Sequence, residues 1–383
     1  MSAPAVLIHV QHLLGIGHLR RAAALARALG TEGFSVTLAS GGMASGALNL
    51  GAARLAQLPP MRARDESFTS LLDADGKPID DTFRAHRRDA LLALFAALKP
   101  AMLITELFPF GRRQLRFELV PLLEAAAAAR PKPLIIASVR DILVAKKDPT
   151  RYAEMAALAR LYYQRVHVRG DKQLLPFSAS FPLADALGAL VVHTGYVAED
   201  AAPPANGGTD GQGDVIVSAG GGAVGWPLLD CALKAKPLSP LNDKVWRVLI
   251  GHNMPPERAH ALMDTAQPGL IIEPARPDFR ALLGRASLSI SQAGYNTVMD
   301  VLASGVRALL VPFASGQETE QTMRAAALAN AGRALVLAEA DLTPARLAAL
   351  IGKLAARPAP GLCPYRLDGA ERSARLLRAM LGP

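Results

Sequence analysis

A proline- and glycine-rich break at residues 200–213, DAAPPANGGTDGQG, divides the chain into two stretches of similar pattern. Alanine is its only apolar residue, so it reads as a linker rather than a core strand or helix. On either side, short apolar runs of strand length alternate with helical patterns. Before the break the strand-like runs are 5–10, 35–39, 101–105, 134–138, 166–168 and 189–193. After it they are 214–218, 245–250, 270–273, 288–291, 308–311 and 335–337. Helical patterns cover 18–29, 89–98, 298–303, 322–331 and 341–355, and a polar insertion, roughly 62–88, precedes the second of these. The expectation is an α/β chain with parallel sheets. An N-terminal domain takes 1–199 and a C-terminal domain 214–364, and a last helical segment, 365–383, packs back towards the first. Two such halves imply a cleft between them, and ligands of open α/β sheets bind outside the carboxyl ends of the strands.

The bulk numbers exclude several classes. The 383 residues suit two domains of about 150–200 residues each. With 51% apolar and 20% charged residues, the composition is not a disordered one. No charge-free apolar stretch is long enough to cross a bilayer. The opening MSAPAVLIHVQHLLGIGHLRR has no basic leader, and Gln11 and His12 interrupt its apolar run. It reads as a buried strand and its loop, hence a cytoplasmic chain. Two distant cysteines, Cys231 and Cys363, make neither a disulfide framework nor a zinc site. The formal charge of +9 favours anionic partners. Arginine supplies most of the 42 basic residues and alanine is abundant, a pattern that compositional bias also produces. No nucleic-acid-binding signature is present.

Four loops at strand ends carry chemistry. Gly15-Ile16-Gly17-His18-Leu19-Arg20-Arg21 opens the first helix, where backbone N–H groups favour an anion. A dinucleotide fold does not fit it: Arg20 stands at the third glycine position, and Ala39-Ser40-Gly41-Gly42 offers no ribose-binding acid. Ser218-Ala219-Gly220-Gly221-Gly222 lets backbone approach a diphosphate closely. Ser291-Gln292-Ala293-Gly294-Tyr295-Asn296-Thr297 leads into a helix carrying Asp300, an acceptor suited to ribose hydroxyls. Pro312 to Gln321 places a carboxylate and an amide side by side at a helix start, a pair that suits vicinal sugar hydroxyls.

The stretches SQAGYNTVMDVLASGVRALLVPF and ETEQTMRAAALANAG resemble the signature of glycosyltransferase family 28, typified by the MurG enzyme and plant galactolipid synthases. The turn GIGHLRRAAALARAL is similar to the glycine-rich N-terminal turn of the same MurG-like enzymes. The resemblance is strong over 214–340, moderate over 5–40 and weak over 45–200. It implies the GT-B fold, two Rossmann-like domains facing each other across a cleft, and a nucleotide-sugar donor held by the C-terminal half. Carried over by position, Gly220, Gly221 and Gly222 line the donor diphosphate. Ser291, Gly294 and Asn296 form the second phosphate loop. Read from their places in the loops and at strand ends, Gln292, Ala293, Thr297, Gly17 and His252 join the expected donor set. Asp300 takes the place of the family's ribose-binding carboxylate, usually Glu. Glu320 and Gln321 align with the pair that binds the donor sugar. The loop before them is one residue longer here, which makes Glu318 a rival. The base-binding loop falls near 273–279.

Transfer from a nucleotide sugar needs a base for the acceptor hydroxyl and stabilisation of the departing diphosphate. No Asp-x-Asp metal motif serves this cleft, so helix N-termini and arginines stand in for a metal, and no cofactor is expected. His18 is the first candidate base. Glu106 either orients it or acts instead, and Asp141 is a third candidate. Phe108, Arg112 and Arg113, in Glu106-Leu107-Phe108-Pro109-Phe110-Gly111-Arg112-Arg113, are expected on the acceptor side, for an anionic or lipid-linked acceptor and a weak peripheral contact with the inner membrane face. The expected reaction is metal-independent inverting transfer from a UDP-sugar such as UDP-GlcNAc. A nucleotide-sugar hydrolase of the pseudaminic-acid pathway type shares the G-x-G-H-x-x-R turn, matched by Gly15, Gly17, His18 and Arg21. A UDP-sugar 2-epimerase and a binding protein without catalysis stay open as well.

Overall fold

The computed structural model describes residues 3–13, 15–46, 48–65, 70–198, 202, 204–205, 208–221, 224–265, 267–314 and 319–382. Two of the expected site residues, Gly222 and Glu318, lie outside them. The chain forms two compact units: residues 1–172, 176–199 and 368–383 make the first, and 173–175 with 200–367 the second.

The first unit holds strands β1 (Ala5–Val10), β2 (Ser35–Ser40), β3 (Arg54–Gln57), β4 (Arg62–Ala63), β5 (Leu71–Leu72), β6 (Met102–Glu106), β7 (Leu134–Arg140), β8 (Arg165–Arg169) and β9 (Val191–His193). Its helices are α1 (Gly17–Thr31), α2 (Asp81–Leu98), α3 (Arg116–Ala128), α4 (Thr150–Tyr162) and the short α5 (Ala184–Leu187). Seven of the strands make one parallel sheet in the order β3-β2-β1-β6-β7-β8-β9, and β4 and β5 make a separate antiparallel pair. β1 lies in the middle, with Val6 beside both Val36 and Met102. Because successive side chains point to opposite faces, Val6, Ile8 and Val10 pack with Leu19, Ala22 and Leu29 of α1, and Leu7 packs with Leu91 of α2 and Leu122 of α3. A strand buried on both faces shows as a continuous apolar run, which is how β1 reads in the sequence.

The second unit holds β10 (Val215–Ser218), β11 (Trp246–Ile250), β12 (Leu270–Pro274), β13 (Leu288–Ser291), β14 (Ala308–Leu310) and β15 (Leu335–Val336). They form a parallel sheet in the order β12-β11-β10-β13-β14-β15, the doubly wound order. Helices α6 (Trp226–Ala235), α7 (Pro256–Met263), α8 (Phe279–Arg285), α9 (Tyr295–Ser304), α10 (Glu320–Asn330) and α11 (Pro344–Ala355) connect these strands. Val215 and Val217 pack against Leu229 of α6 and Ile351 of α11. Of the expected linker, Ala205 N donates to Asp278 Oδ2 at 2.9 Å and Gly213 N to Arg285 O at 2.9 Å, both within this unit. The last helix, α12 (Gly369–Leu381), belongs to the first unit, where Ala370, Ala374 and Leu377 join the core face of α1.

One stretch departs from the sequence reading. Within the polar insertion at 62–88, α2 begins at Asp81, eight residues before the expected start, with Asp80 Oδ1 accepting from Phe83 N at 2.7 Å as its cap. Arg87, counted there as insertion, is fully buried. β3 went unread because its side chains are mostly exposed at the sheet edge.

Candidate functional site

In each sheet the strand order reverses beside the first strand, between β1 and β6 and between β10 and β13. The carboxyl ends at such a switch point diverge and open a crevice. Gly17, His18 and Glu106 lie beside the first of these places, and Gly220, Ser291 and Thr297 beside the second.

In the first unit, β6 ends on Glu106 and α1 begins with Gly17 and His18. These residues, 88 positions apart, meet: His18 Nδ1 lies 2.9 Å from Glu106 Oε1. The carboxylate is also held by an arginine. Arg169, the last residue of β8, donates Nη1 to Glu106 Oε2 at 2.6 Å and Nη2 to Oε1, and Nη1 also reaches Ser138 Oγ at 3.1 Å. Arg169 and Glu106 are each only 2% exposed and His18 13%. Burial alone would raise the Glu106 carboxyl, but the Arg169 charge and the hydrogen bonds from His18 and Arg169 outweigh it and hold the group below the usual carboxylate range. Burial pushes the His18 imidazole down to about 3; the bond to Glu106 opposes this, while the charges of Arg21 and Arg112 add to it. At neutral pH the pair is therefore a carboxylate and a neutral imidazole. An ionised Glu106 can only accept, so the ring proton sits on Nδ1 and the lone pair on Nε2.

The glycines of the turn leave room at this place. A side chain at Gly15 would meet open space, whereas a Cβ at Gly17 would come 3.3 Å from Arg21 Nη1. Arg112 enters from the loop after β6, donating Nε to Gln11 O at 3.2 Å, and burial lowers its guanidinium to about 10. Leu107 and Arg112, at φ 68° and 57°, are non-glycine residues in the left-handed region. Each costs roughly 1–3 kcal/mol, and such strain clusters at functional sites. The hydrophobic contacts that hold this loop correct one expectation. Phe108, read as an acceptor-side aromatic, is a core residue only 1% exposed, and its neighbour Phe110 packs edge-on to Phe177 and Phe181. Arg113 is exposed and pairs with Glu154 at 3.3 Å. Asp141 follows β7 and is buried, with Ser180 Oγ donating to its carbonyl at 3.4 Å.

Behind the turn runs a buried polar network absent from the sequence reading. Arg87 donates to Glu118 (Nε–Oε2 2.5 Å), Gly41 O (2.8 Å), Pro59 O (2.6 Å) and Gln11 Oε1 (2.6 Å). His9 lies 3.3 Å from Glu118. Gln11 in turn donates to His12 O at 2.7 Å. A side chain at Gly41 would collide with Arg87, and one at Gly42 with the His12 ring. The network ties α2, α3 and the loop after β2 to the end of β1.

In the second unit, the loop after β10 and the start of α9 approach each other. Gly220 sits at φ +67°, and a Cβ there would lie 3.5 Å from Thr297 Oγ1. Gly220 N donates to Ser218 Oγ at 3.1 Å, Gln292 N to Ser218 O at 3.1 Å, and Asn253 Nδ2 to Gly221 O at 2.7 Å. The Ser289 and Ser291 hydroxyls are 2.8 Å apart. Gly294 is the N-cap of α9 and supplies no capping side chain, so Asn296 and Thr297 belong to the first turn rather than to a loop. Glu320 and Gln321 likewise open α10. Arg324 binds this helix to the α9 loop: it pairs with Glu320 at 2.7 Å, stacks over Tyr295 at 5.2 Å and donates to Ala293 O at 3.4 Å. Gln321 Oε1 accepts from Phe313 N at 3.1 Å. Asp300 accepts from Arg280 Nε at 2.8 Å. In the loop expected to meet the base, Glu273 takes Arg247 at 3.1 Å, and Arg276 takes Asp278 and Asp210, each at 2.8 Å. His252 is exposed.

The sequence reading missed Arg169, Arg87, Glu118, Arg280 and Arg324. The four arginines each pair with an acid, Arg87 with Glu118 itself, and three of these pairs join different helices or strands; only Arg324–Glu320, at i,i+4, left a signal in local spacing. Among the described residues, no group of three or more His, Cys, Asp or Glu is placed to hold a metal, and no helix is long and apolar enough to cross a membrane.

Residues 216–360 match the model of the glycosyltransferase family 28 C-terminal domain. A UDP-N-acetylglucosamine–N-acetylmuramyl-(pentapeptide) pyrophosphoryl-undecaprenol N-acetylglucosamine transferase of Rhodopseudomonas palustris is 36% identical over 132 residues, 33% of this chain and 35% of that protein. The protein of the same description from Corynebacterium efficiens is 35% identical over 111 residues, 29% of this chain and 30% of that one. The chain thus spans about a third of the length of these curated relatives. In fold the likeness covers both units. MurG of Acinetobacter baumannii superposes with a TM-score of 0.62 at 18% identity, over 98% of this chain and all of that one. The calicheamicin glycosyltransferase CalG4 superposes at 0.61 and 18% identity, over 100% and 95%. The chain has the GT-B fold of two Rossmann-like domains, and most of its second unit matches the glycosyltransferase family 28 C-terminal domain.

Proposed function

We propose that this protein is a metal-independent, inverting glycosyltransferase that moves a sugar from a UDP-sugar, of the UDP-N-acetylglucosamine type, to an acceptor hydroxyl. The observation that carries the reading is the meeting of Gly220 with the Thr297 turn of α9, inside the segment that matches the family 28 domain. Two backbone turns and an uncapped helix start converge there, an arrangement suited to a diphosphate. Gly221, Ser291, Gln292, Gly294 and Asn296 complete the diphosphate cradle. Asp300 takes a ribose hydroxyl, and Glu320 with Gln321 the sugar hydroxyls. UDP-N-acetylglucosamine is the donor named for the curated relatives.

The first unit supplies the acceptor side. His18 Nε2 takes the acceptor's hydroxyl proton as that oxygen attacks the anomeric carbon from the face opposite the diphosphate. The anomeric C–O bond breaks, and the charge gathering on the diphosphate is met by the N–H groups of α9 and the glycine turn. The acceptor carries an anionic group, placed by Arg112 and Arg21, as the pyrophosphoryl-undecaprenol in the relatives' name does. Such a lipid-linked acceptor implies work at the cytoplasmic membrane face; flotation with anionic vesicles that leaves the protein in the soluble fraction would remove that part.

The test is nucleotide release from a panel of nucleotide sugars, with and without lipid extracts as acceptor source. Release that depends on acceptor and yields a glycosylated product is expected. Equal release without acceptor identifies a hydrolase, and an epimerised donor identifies an epimerase; either result overturns the proposal.

A further inference from the structure

Glu106 would be expected to rotate freely between its rotamers if His18 alone held it. Instead both of its oxygens are also taken by Arg169. Arg169 meets Oε2 with Nη1 at 2.6 Å and Oε1 with Nη2, and Ser138 Oγ takes Nη1 at 3.1 Å, which fixes the plane of the guanidinium. The three strand ends concerned, of β6, β7 and β8, are adjacent in the sheet, with Glu106 beside Ser138 and Arg140 beside Arg169. A planar fork on a carboxylate sets its orientation, which a lysine's point charge cannot do.

We propose that Arg169 is a positioning residue for the reaction: by clamping both oxygens of Glu106 it holds Oε1 against His18 Nδ1 and so keeps the imidazole in the tautomer whose Nε2 is free to accept a proton. The inference rests on His18 being the base proposed above. The charged groups facing the ring are Glu106 from β6, Arg21 from α1 and Arg112 from the loop after β6. The guanidinium of Arg169 also takes up part of the Glu106 charge, so that carboxylate draws a second proton onto the ring less strongly than it would alone.

The test is the nitrogen-15 spectrum of the His18 ring in the full-length protein, assigned with His18→Gln, for wild type, Arg169→Lys and Arg169→Met. Wild type should show a single Nδ1–H tautomer from pH 8 down to about 5, where an ordinary histidine is already charged. Arg169→Lys keeps the charge and loses the fork, so a mixture of tautomers should appear while the ring still titrates low. Arg169→Met should also raise the titration midpoint by about one unit or more, as Glu106 is left to pair with the ring alone. Restoration of the single tautomer does not follow from any lysine at this place. A wild-type tautomer pattern in Arg169→Lys overturns the proposal, even if Arg169→Met fails to fold. The spectra need no substrate: a chain that proves to transfer no sugar, yet shows these changes, loses the transferase reading and keeps the clamp.

Discussion

Replacing Glu106 by glutamine keeps the size of the side chain and removes its charge. Two consequences follow from the geometry. Glu106 accepts from three donors, two on Arg169 and one on His18. An amide has one oxygen, so its NH2 must face a guanidinium N–H or the imidazole. Where it faces the imidazole, Nδ1 becomes the acceptor, the proton moves to Nε2, and the base is lost. The two orientations each keep two hydrogen bonds, so about half the molecules are expected in the wrong tautomer. The larger effect is on the imidazolium formed as the proton is taken. Opposite unit charges near 4 Å attract by about 4 kcal/mol at an effective dielectric of 20. The Arg169 charge beyond the carboxylate offsets part of this and leaves about 2–3 kcal/mol. At 1.36 kcal/mol for each factor of ten, that is roughly a 10²-fold loss of turnover. UDP affinity should change little, because the diphosphate contacts proposed at Gly220 and α9 are in the other unit. The assay is acceptor-dependent UDP release at saturating donor, with UDP binding measured by calorimetry. Turnover within about threefold of wild type at unchanged affinity would refute the reasoning.

Four further outcomes can be checked. Gly220→Val places a branched side chain at φ +67°, where an L-residue costs roughly 1–2 kcal/mol, and presses it towards Thr297; UDP affinity should fall about tenfold or more by calorimetry. Asp300→Asn removes the carboxylate that Arg280 holds and that the proposed function assigns to ribose, and UDP should bind about tenfold more weakly, a charged hydrogen bond being worth about 1.5–3 kcal/mol. Glu118→Gln leaves the fully buried Arg87 uncompensated; a loss of about 3–5 kcal/mol in urea unfolding is expected, with the m-value unchanged. Stability should also fall in acid. Burial lowers His18 to about 3 and His167 to about 4, so below 6.5 the unfolded chain binds these protons first, and stability is lost as pH drops from 6.5 towards 3. A denaturation midpoint that is flat across that window would show that these rings are not held neutral.

The legible parts of the fold were those that physical chemistry writes locally. Parallel strands buried on both faces show as apolar runs, and glycine turns after β1 and β10 show as Gly15-Ile16-Gly17 and Gly220-Gly221. What stayed hidden depends on partners distant in the chain. Arg87 lies in a polar stretch, and only the fold shows that Glu118, Gln11 and two carbonyls consume its charge. Arg169 ends the alternating run Arg-Val-His-Val-Arg, where an arginine usually marks the solvent end of a strand. Phe108 sits among prolyl and arginyl neighbours that suggest an acceptor-facing segment, yet its ring and that of Phe110 fill the core. His18 and Glu106 could be placed together because both sit at strand ends beside the switch point. The roles of Arg280 and Arg324 turn on helices whose contacts no local spacing defines, apart from the i,i+4 step from Glu320 to Arg324.

The assignment of α12 to the first unit has a consequence for how the protein is made. The α1 face that Ala370, Ala374 and Leu377 cover is translated at the start, but its cover is translated after residues 200–367. At about 5–20 residues per second, those 368 − 200 = 168 residues take a ribosome roughly 10–30 s. Throughout that interval the second unit can complete its own sheet, while the first waits with an apolar groove open beside Leu19 and Ala22. A nascent chain of this design needs either a holding chaperone or a slow-to-aggregate intermediate. A fragment cut at residue 199 would be held at that stage for good.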